Sequence, residues 1–162
     1  MSTGPTNAHI ASYCAEFRLQ KTGKGPQILL ACDPDGVAAA IATIMATELA
    51  QVPTVLVRDR PGYEPGGRPD HGLKMAIDPV KEIGALAYYG PGGEDYGPGA
   101  WVSYSSVEHH PEVKLYRDTD SASVFPSDSH LALSTLARAV EDFRATGGLR
   151  PALVAWRPST IW

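Results

Sequence analysis

The chain has 162 residues, 43% apolar and 20% charged, which suits one domain with a true core and excludes a wholly disordered chain. Its 16 glycines and 14 prolines point to many turns between short elements, and no run nears the roughly 18 apolar residues of a membrane helix. A net charge of −4 argues against nucleic acid as a direct partner.

The N-terminal MSTGPTNAHI has neither a basic stretch nor an apolar run, so it does not read as a secretion signal. Residues 1–8 are expected to form a loose tail and residues 9–162 a single domain. Cys14 and Cys32 are too few for a disulfide framework or a four-ligand zinc site. The default expectation is a soluble, cytoplasmic domain.

From His9 to Gln20 the pattern alternates. Ala11, Tyr13, Ala15, Phe17 and Leu19 fall on one face, with Ser12, Glu16 and Arg18 on the other, as in a half-buried strand. A turn over residues 22–26 precedes a short apolar run, Gln27 to Cys32. Asp33 then caps a helix, because its carboxylate can accept a free amide hydrogen of the first turn. Val37, Ile41, Ile44, Met45 and Leu49 extend that helix to about Gln51, in a wide apolar arc suited to lying flat on a sheet. Pro53 is expected to end it, before a strand from Thr54 to Arg58 and a polar loop from Pro61 to Asp70.

The middle third reads as an antiparallel meander. Leu73, Met75 and Ile77 alternate with Lys74 and Asp78. Ala85 to Tyr89, Trp101 to Ser105 and Val113 to Asp118 follow, broken by Gly/Pro clusters and by His109-His110-Pro111. Ser127 to Ser129 offers caps for a second helix, on which Leu133, Leu136, Ala137, Val140 and Phe143 recur at helical spacing. Gly147-Gly148 suits a left-handed C-cap and Pro151 a stop. Ala152 to Arg157 makes a last strand, with Trp156 packed on one face. The sum is an α+β domain: a single mainly antiparallel sheet of about six or seven strands with two helices on one face.

Motifs for chemistry fail on specific points. A zinc deaminase needs His-x-Glu and Pro-Cys-x-x-Cys, and no close cysteine pair exists here. His109 and His110 are adjacent, so on a strand they would point to opposite faces and could not share a metal. Gly23-Lys24 lacks the glycine five residues before Gly23 and the following Ser/Thr of a phosphate loop. Asp33-Pro34-Asp35-Gly36 begins like a calcium loop, but Val37 takes the next ligand position. No Gly-x-Ser-x-Gly elbow occurs. Cys14 lies on the strand face opposite the aromatic one, with nothing nearby to lower its pKa. No cofactor, metal or catalytic residue is assigned, and a binder is favoured over an enzyme.

Charge is distributed unevenly. Residues 82–128 hold eight acids (Glu82, Glu94, Asp95, Glu108, Glu112, Asp118, Asp120, Asp128) against Lys114 and Arg117 alone. Tyr88, Tyr89, Tyr96, Trp101, Tyr104 and Tyr116 lie in the same stretch, and such aromatics anchor interfaces at low entropic cost. Glu94-Asp95-Tyr96 sits between two Gly/Pro breaks, as an acidic, aromatic-tipped loop would. An acidic block of this kind complements a basic partner.

The C-terminal half resembles a bacterial immunity-protein family, the first-numbered one of polymorphic toxin systems, common in actinobacteria. The likeness is carried by Ala85-Leu86-Ala87-Tyr88, Trp101-Val102-Ser103, Phe125-Pro126, Ser129, Leu133, the run from Ala139 to Phe143, Thr146-Gly147, Arg150-Pro151 and Trp156. Trp101, Phe125, Pro126, Phe143, Gly147, Pro151 and Trp156 are its structural residues. Ala132 stands where many relatives carry a helix-starting proline.

The resemblance implies a cytoplasmic protein that binds and blocks a cognate toxin, often a nucleic-acid deaminase. A toxin of that kind needs a basic channel for phosphates, to which the acidic block is complementary. The expected contact set is Glu94, Asp95, Tyr96, Glu108, Glu112, Asp118 and Asp120, in a monomer or weak homodimer that touches neither nucleic acid nor membrane. The alternatives are a regulatory interaction domain or homodimer with no toxin partner, and a small-ligand binder or enzyme using a pocket beside Tyr104 and His109.

Overall fold

A computed structural model describes residues 13–61, 63, 67, 69–91, 98–106, 110–160 and 162. Strand β1 (Ala15–Lys21) and strand β2 (Pro26–Ala31) form a hairpin that leads into helix α1 (Pro34–Met45). Strands β3 (Leu49–Val57), β4 (Gly72–Asp78), β5 (Ile83–Pro91) and β6 (Pro98–Tyr104) follow. Short strands β7 (Tyr116–Asp118) and β8 (Ser123–Val124), one 3₁₀ turn (Ser127–Ser129), strand β9 (Leu131–Ala132), helix α2 (Leu133–Ala145) and strand β10 (Ala155–Ser159) complete the chain. The main sheet runs β10-β6-β5-β4-β3-β1-β2, with β9 paired to β5, and β7 and β8 form a separate ladder. Every pairing is antiparallel. This is the expected α+β class.

Alternation along the strands sorts side chains into two cores. Phe17, Leu19, Val55, Val57, Leu73, Met75, Leu86 and Tyr88 meet Val37, Ile41 and Ile44 of α1 and Leu136, Val140 and Phe143 of α2. Both helices therefore cover one face. On the other face Ala76, Ile83, Ala85, Ala87 and Val102 are covered by Val113, Leu115 and Phe125 of the excursion around β7 and β8. Central β5 is thus buried on both sides, as its near-continuous apolar run requires.

The first helix is shorter than the periodicity predicts. Asp33 caps it by accepting the Gly36 N–H at 2.7 Å, as expected, but it ends at Met45. Residues 49–51 instead pair with Gln20 and Lys21 of β1, so a sheet ladder takes backbone that the apolar arc assigns to the helix. Pro53 does not end the helix; it lies inside β3. There the register slips between Arg18↔Thr54 and Gln20↔Gln51, setting Val52 and Pro53 against Leu19. Such a bulge tolerates a residue with no N–H to give.

Differences at other elements are smaller. The strand expected from Val113 is confined to Tyr116–Asp118, and the last strand is shifted to Ala155–Ser159. Ser127–Ser129 is a 3₁₀ turn and supplies no side-chain cap to α2, whose cap position is Ala132. The Leu133 N–H is satisfied instead by the Glu82 carbonyl at 3.0 Å. The turn is stitched to the sheet through Ser103, whose hydroxyl donates to Ser129 O at 2.7 Å and accepts the Leu86 N–H at 3.0 Å. Gly147 and Gly148 close α2 with φ of 78° and 95°, the Gly148 N–H reaching Phe143 O at 2.8 Å. Trp156 donates its indole N–H to Pro151 O at 2.8 Å and packs near Tyr88.

Candidate partner-binding surface

Of the acids singled out in the sequence, Glu94, Asp95 and Glu108 lie outside the described residues, as do Tyr96 and His109. Asp118 and Asp120 share the turn after β7. Asp118 accepts the Gln51 side-chain N–H at 3.1 Å and the Asp120 backbone N–H at 3.0 Å. The Gln51 hydrogen bond, helped by those from the turn, holds the Asp118 carboxyl below the usual range. Glu112 is exposed at the start of the outer excursion, its carboxylate 3.8 Å from His110 Nδ1. Among the described residues no hydrogen bond or ion pair joins Glu112 to the Asp118–Asp120 turn. Asp128 is paired with Arg157 across the 3₁₀ turn and β10, and Arg157 also lies over the Tyr104 ring.

Among the described residues the outer excursion covers only part of its face of the sheet. There a cleft of about 550 Å³ is lined by Arg18, Gln20, Gln51, Thr54, Tyr89 and Trp162, among others. Its side chains come from alternate positions of β1, β3 and β5, the face away from the helices. Trp162 closes one side, its ring within 5.8 Å of Tyr89 and under the Lys74 ammonium. Gln51 lines the cleft and also binds Asp118, and its carbonyl oxygen accepts the Thr119 N–H at 2.8 Å. The acidic turn is therefore fastened to the cleft's rim. The sequence shows Arg18 and Gln20 only as the polar side of a strand; only the fold brings them together with residues 51, 89 and 162.

Buried polar side chains also join elements of the fold. His71 is 1% exposed, accepts the Val57 N–H on Nε2 at 2.8 Å, and faces Asp70 with Nδ1 at 2.8 Å. Burial pushes its pKa below the ordinary value, against the pull of Asp70. Arg144, 2% exposed, binds Glu141 on its own helix and donates to the carbonyls of Tyr13 and Cys32, so α2 is tied to the start of β1 and the end of β2. Burial raises the Tyr88 phenol to about 12, which keeps it a neutral donor to Gly148 O at 3.0 Å.

The sequence treats Cys14 by its strand face and its pKa and does not pair it with Cys32. Cys14 and Cys32 form a disulfide. They occupy the rung just beyond Ala15↔Ala31, where antiparallel neighbours bring side chains of one face together. Eighteen residues apart in sequence, the two are paired only by the hairpin register.

A mainly antiparallel sheet with two helices on one face and, among the described residues, a cleft on the other makes an α+β domain. The family model for Immunity protein Imm1 matches residues 28–158, and the chain belongs to that immunity protein family. Comparison with curated proteins, and with solved structures, gives no match.

Proposed function

We propose that the protein binds a cognate toxin domain and occludes its active cleft, with no chemistry of its own, and that the toxin is a basic, nucleic-acid-acting enzyme of the deaminase type. Membership of the immunity family is the observation that carries this reading. The excess of acids over residues 82–128 supports a basic partner. The contact set is Glu94, Asp95, Tyr96, Glu108, Glu112, Asp118 and Asp120, with the Asp118–Asp120 turn held in place by Gln51 at the rim of the open cleft. Occlusion needs only shape and charge, so the absence of a catalytic motif in the sequence is no obstacle.

The site of action is proposed to be the cytoplasm. No helix among the described residues is long and apolar enough to cross a membrane. Disulfides persist in oxidising compartments, so in a reducing cytosol the Cys14–Cys32 pair would be held as thiols. Alkylation trapping in intact cells reads that state directly.

The deciding experiment captures the partner with tagged protein at low and high salt, then assays the captured protein's deaminase activity on DNA and RNA with and without stoichiometric added protein. Loss of activity on addition, and capture that weakens with salt, are the expected results. Reversing Asp118 and Asp120 to lysine should chiefly slow association. A partner that stays fully active when saturated would overturn the reading.

A further inference from the structure

Strand β2 ends the sheet, and among the described residues no strand lies beyond it. The direction of its backbone groups follows from the ladder. The Arg58 N–H donates to Cys14 O, so even-numbered residues of β1 bond towards β3, and Ala15, Phe17 and Leu19 bond towards β2. Their partners are Ala31, Leu29 and Gln27. Ile28 and Leu30 therefore turn their N–H and C=O groups to the open edge. Their side chains are 56% and 50% exposed.

Sheet edges are normally guarded by charge or proline, and the opposite edge, β10, contains Arg157 and Pro158. β2 has no charged residue, and its one proline is Pro26 at the first position. Its two ends carry opposite charge. Lys21 and Lys24 flank the turn before it, and Asp33 and Asp35 flank the helix start after it. Parallel pairing of two such edges would place like charges together, whereas antiparallel pairing matches each basic end with an acidic one.

We propose that the chain forms a two-fold dimer through β2, the two edges pairing antiparallel about Leu29 so that the sheet continues across both copies. In this register Ile28 of one protomer faces Leu30 of its partner on the same side of the sheet, and each supplies the other's N–H and C=O with a partner. A one-residue slip would set Ile28 against Leu29, which points to the helix side. Pairing about Ile28 would aim the Leu30 carbonyl at Pro26, which has no N–H. The basic end of each copy, with Lys21 and Lys24, comes beside the acidic end of the other, with Asp33 and Asp35. The contact is isologous and closes on itself. It needs no toxin and uses none of the acids of residues 82–128.

Sedimentation velocity of the purified chain over a concentration series, at low and high salt, tests the proposal. The expected result is a dimer at the upper concentrations that weakens as salt rises. Leu30→Pro removes an edge N–H without touching the β1 ladder, and Ile28→Lys places a charge on an already exposed position. Each should raise the dimer Kd by about tenfold or more, and Ile28→Lys serves if the proline variant does not fold. Lys24→Glu should weaken the dimer, and adding Asp35→Lys to it should restore it. A native chain that stays monomeric throughout, or a dimer untouched by Ile28→Lys, would sink the proposal.

Discussion

His71 fills a space between Tyr63 and Phe143, with ring centroids at 5.2 and 6.0 Å, and it joins the end of β3 to the start of β4. Accepting the Val57 N–H requires a neutral ring with its proton on the nitrogen facing Asp70. Because burial sets the folded pKa below the ordinary 6.5, the unfolded chain takes up the proton first as pH falls. The His71 contribution is therefore complete above about pH 6.5 and is lost as the pH drops through the folded value, at no more than about 1.4 kcal/mol per pH unit. Urea unfolding at pH values either side of 6.5 should show this loss in the native chain and a flatter profile in His71→Gln. An unchanged slope in the variant would assign the effect elsewhere. The sequence shows His71 only as the residue after a polar loop, since its partners at positions 57 and 143 meet it only in the fold.

At the scale of elements, α2 packs closely on β5 at Gly84. A Cβ on Gly84 would meet Leu136 Cδ1 at 2.3 Å and Ala76 O at 2.9 Å, and the second of these is backbone that cannot swing aside. Gly84→Ala should cost about 1–3 kcal/mol of stability, while Gly25→Ala, with nothing within 4 Å, should stay within about 0.5 kcal/mol. Thermal melts of the two variants side by side check the contrast, and equal stability would mean that α2 sits further from the sheet. Strand β1 and the core side of α2 were legible because strict alternation and helical spacing each specify one face. The end of α1 was not. The arc from Val37 to Leu49 continues the helical pattern past Met45, and only the pairing of Leu49 and Gln51 with β1 ends it. Pro53 reads as a breaker for the same reason, because the bulge that admits it is a property of two strands.

For the whole molecule, the disulfide and the acid distribution set the testable behaviour. Closing an 18-residue separation should contribute about 3 kcal/mol through the unfolded chain's lost entropy. Adding reductant, or Cys32→Ser, should therefore lower the urea midpoint, with intact mass reporting the bond itself. An unchanged midpoint with the bond demonstrably open would show that the β1–β2–β3 ladder alone holds this end of the sheet. The acids form no continuous cluster among the described residues. Asp118 and Asp120 sit on one turn, Glu112 lies beside His110, and Asp128 is engaged by Arg157. A compositional excess over residues 82–128 is thus distributed by the fold to several places.

By itself the sequence determined the class of fold, the faces that β1, β4 and the two helices bury, the caps at Asp33 and Gly147-Gly148, and the likeness to an immunity family. All of these rest on local periodicity, single-residue conformational preference or an ordered pattern along the chain. Tertiary structure alone decided the end of α1, the Cys14–Cys32 bond, the His71 and Arg144 nodes, the cleft and, among the described residues, the place of β2 at the sheet edge. Each depends on strand register or on which surfaces are left uncovered, and those are fixed only when residues distant in sequence compete for the same backbone partners and the same apolar faces.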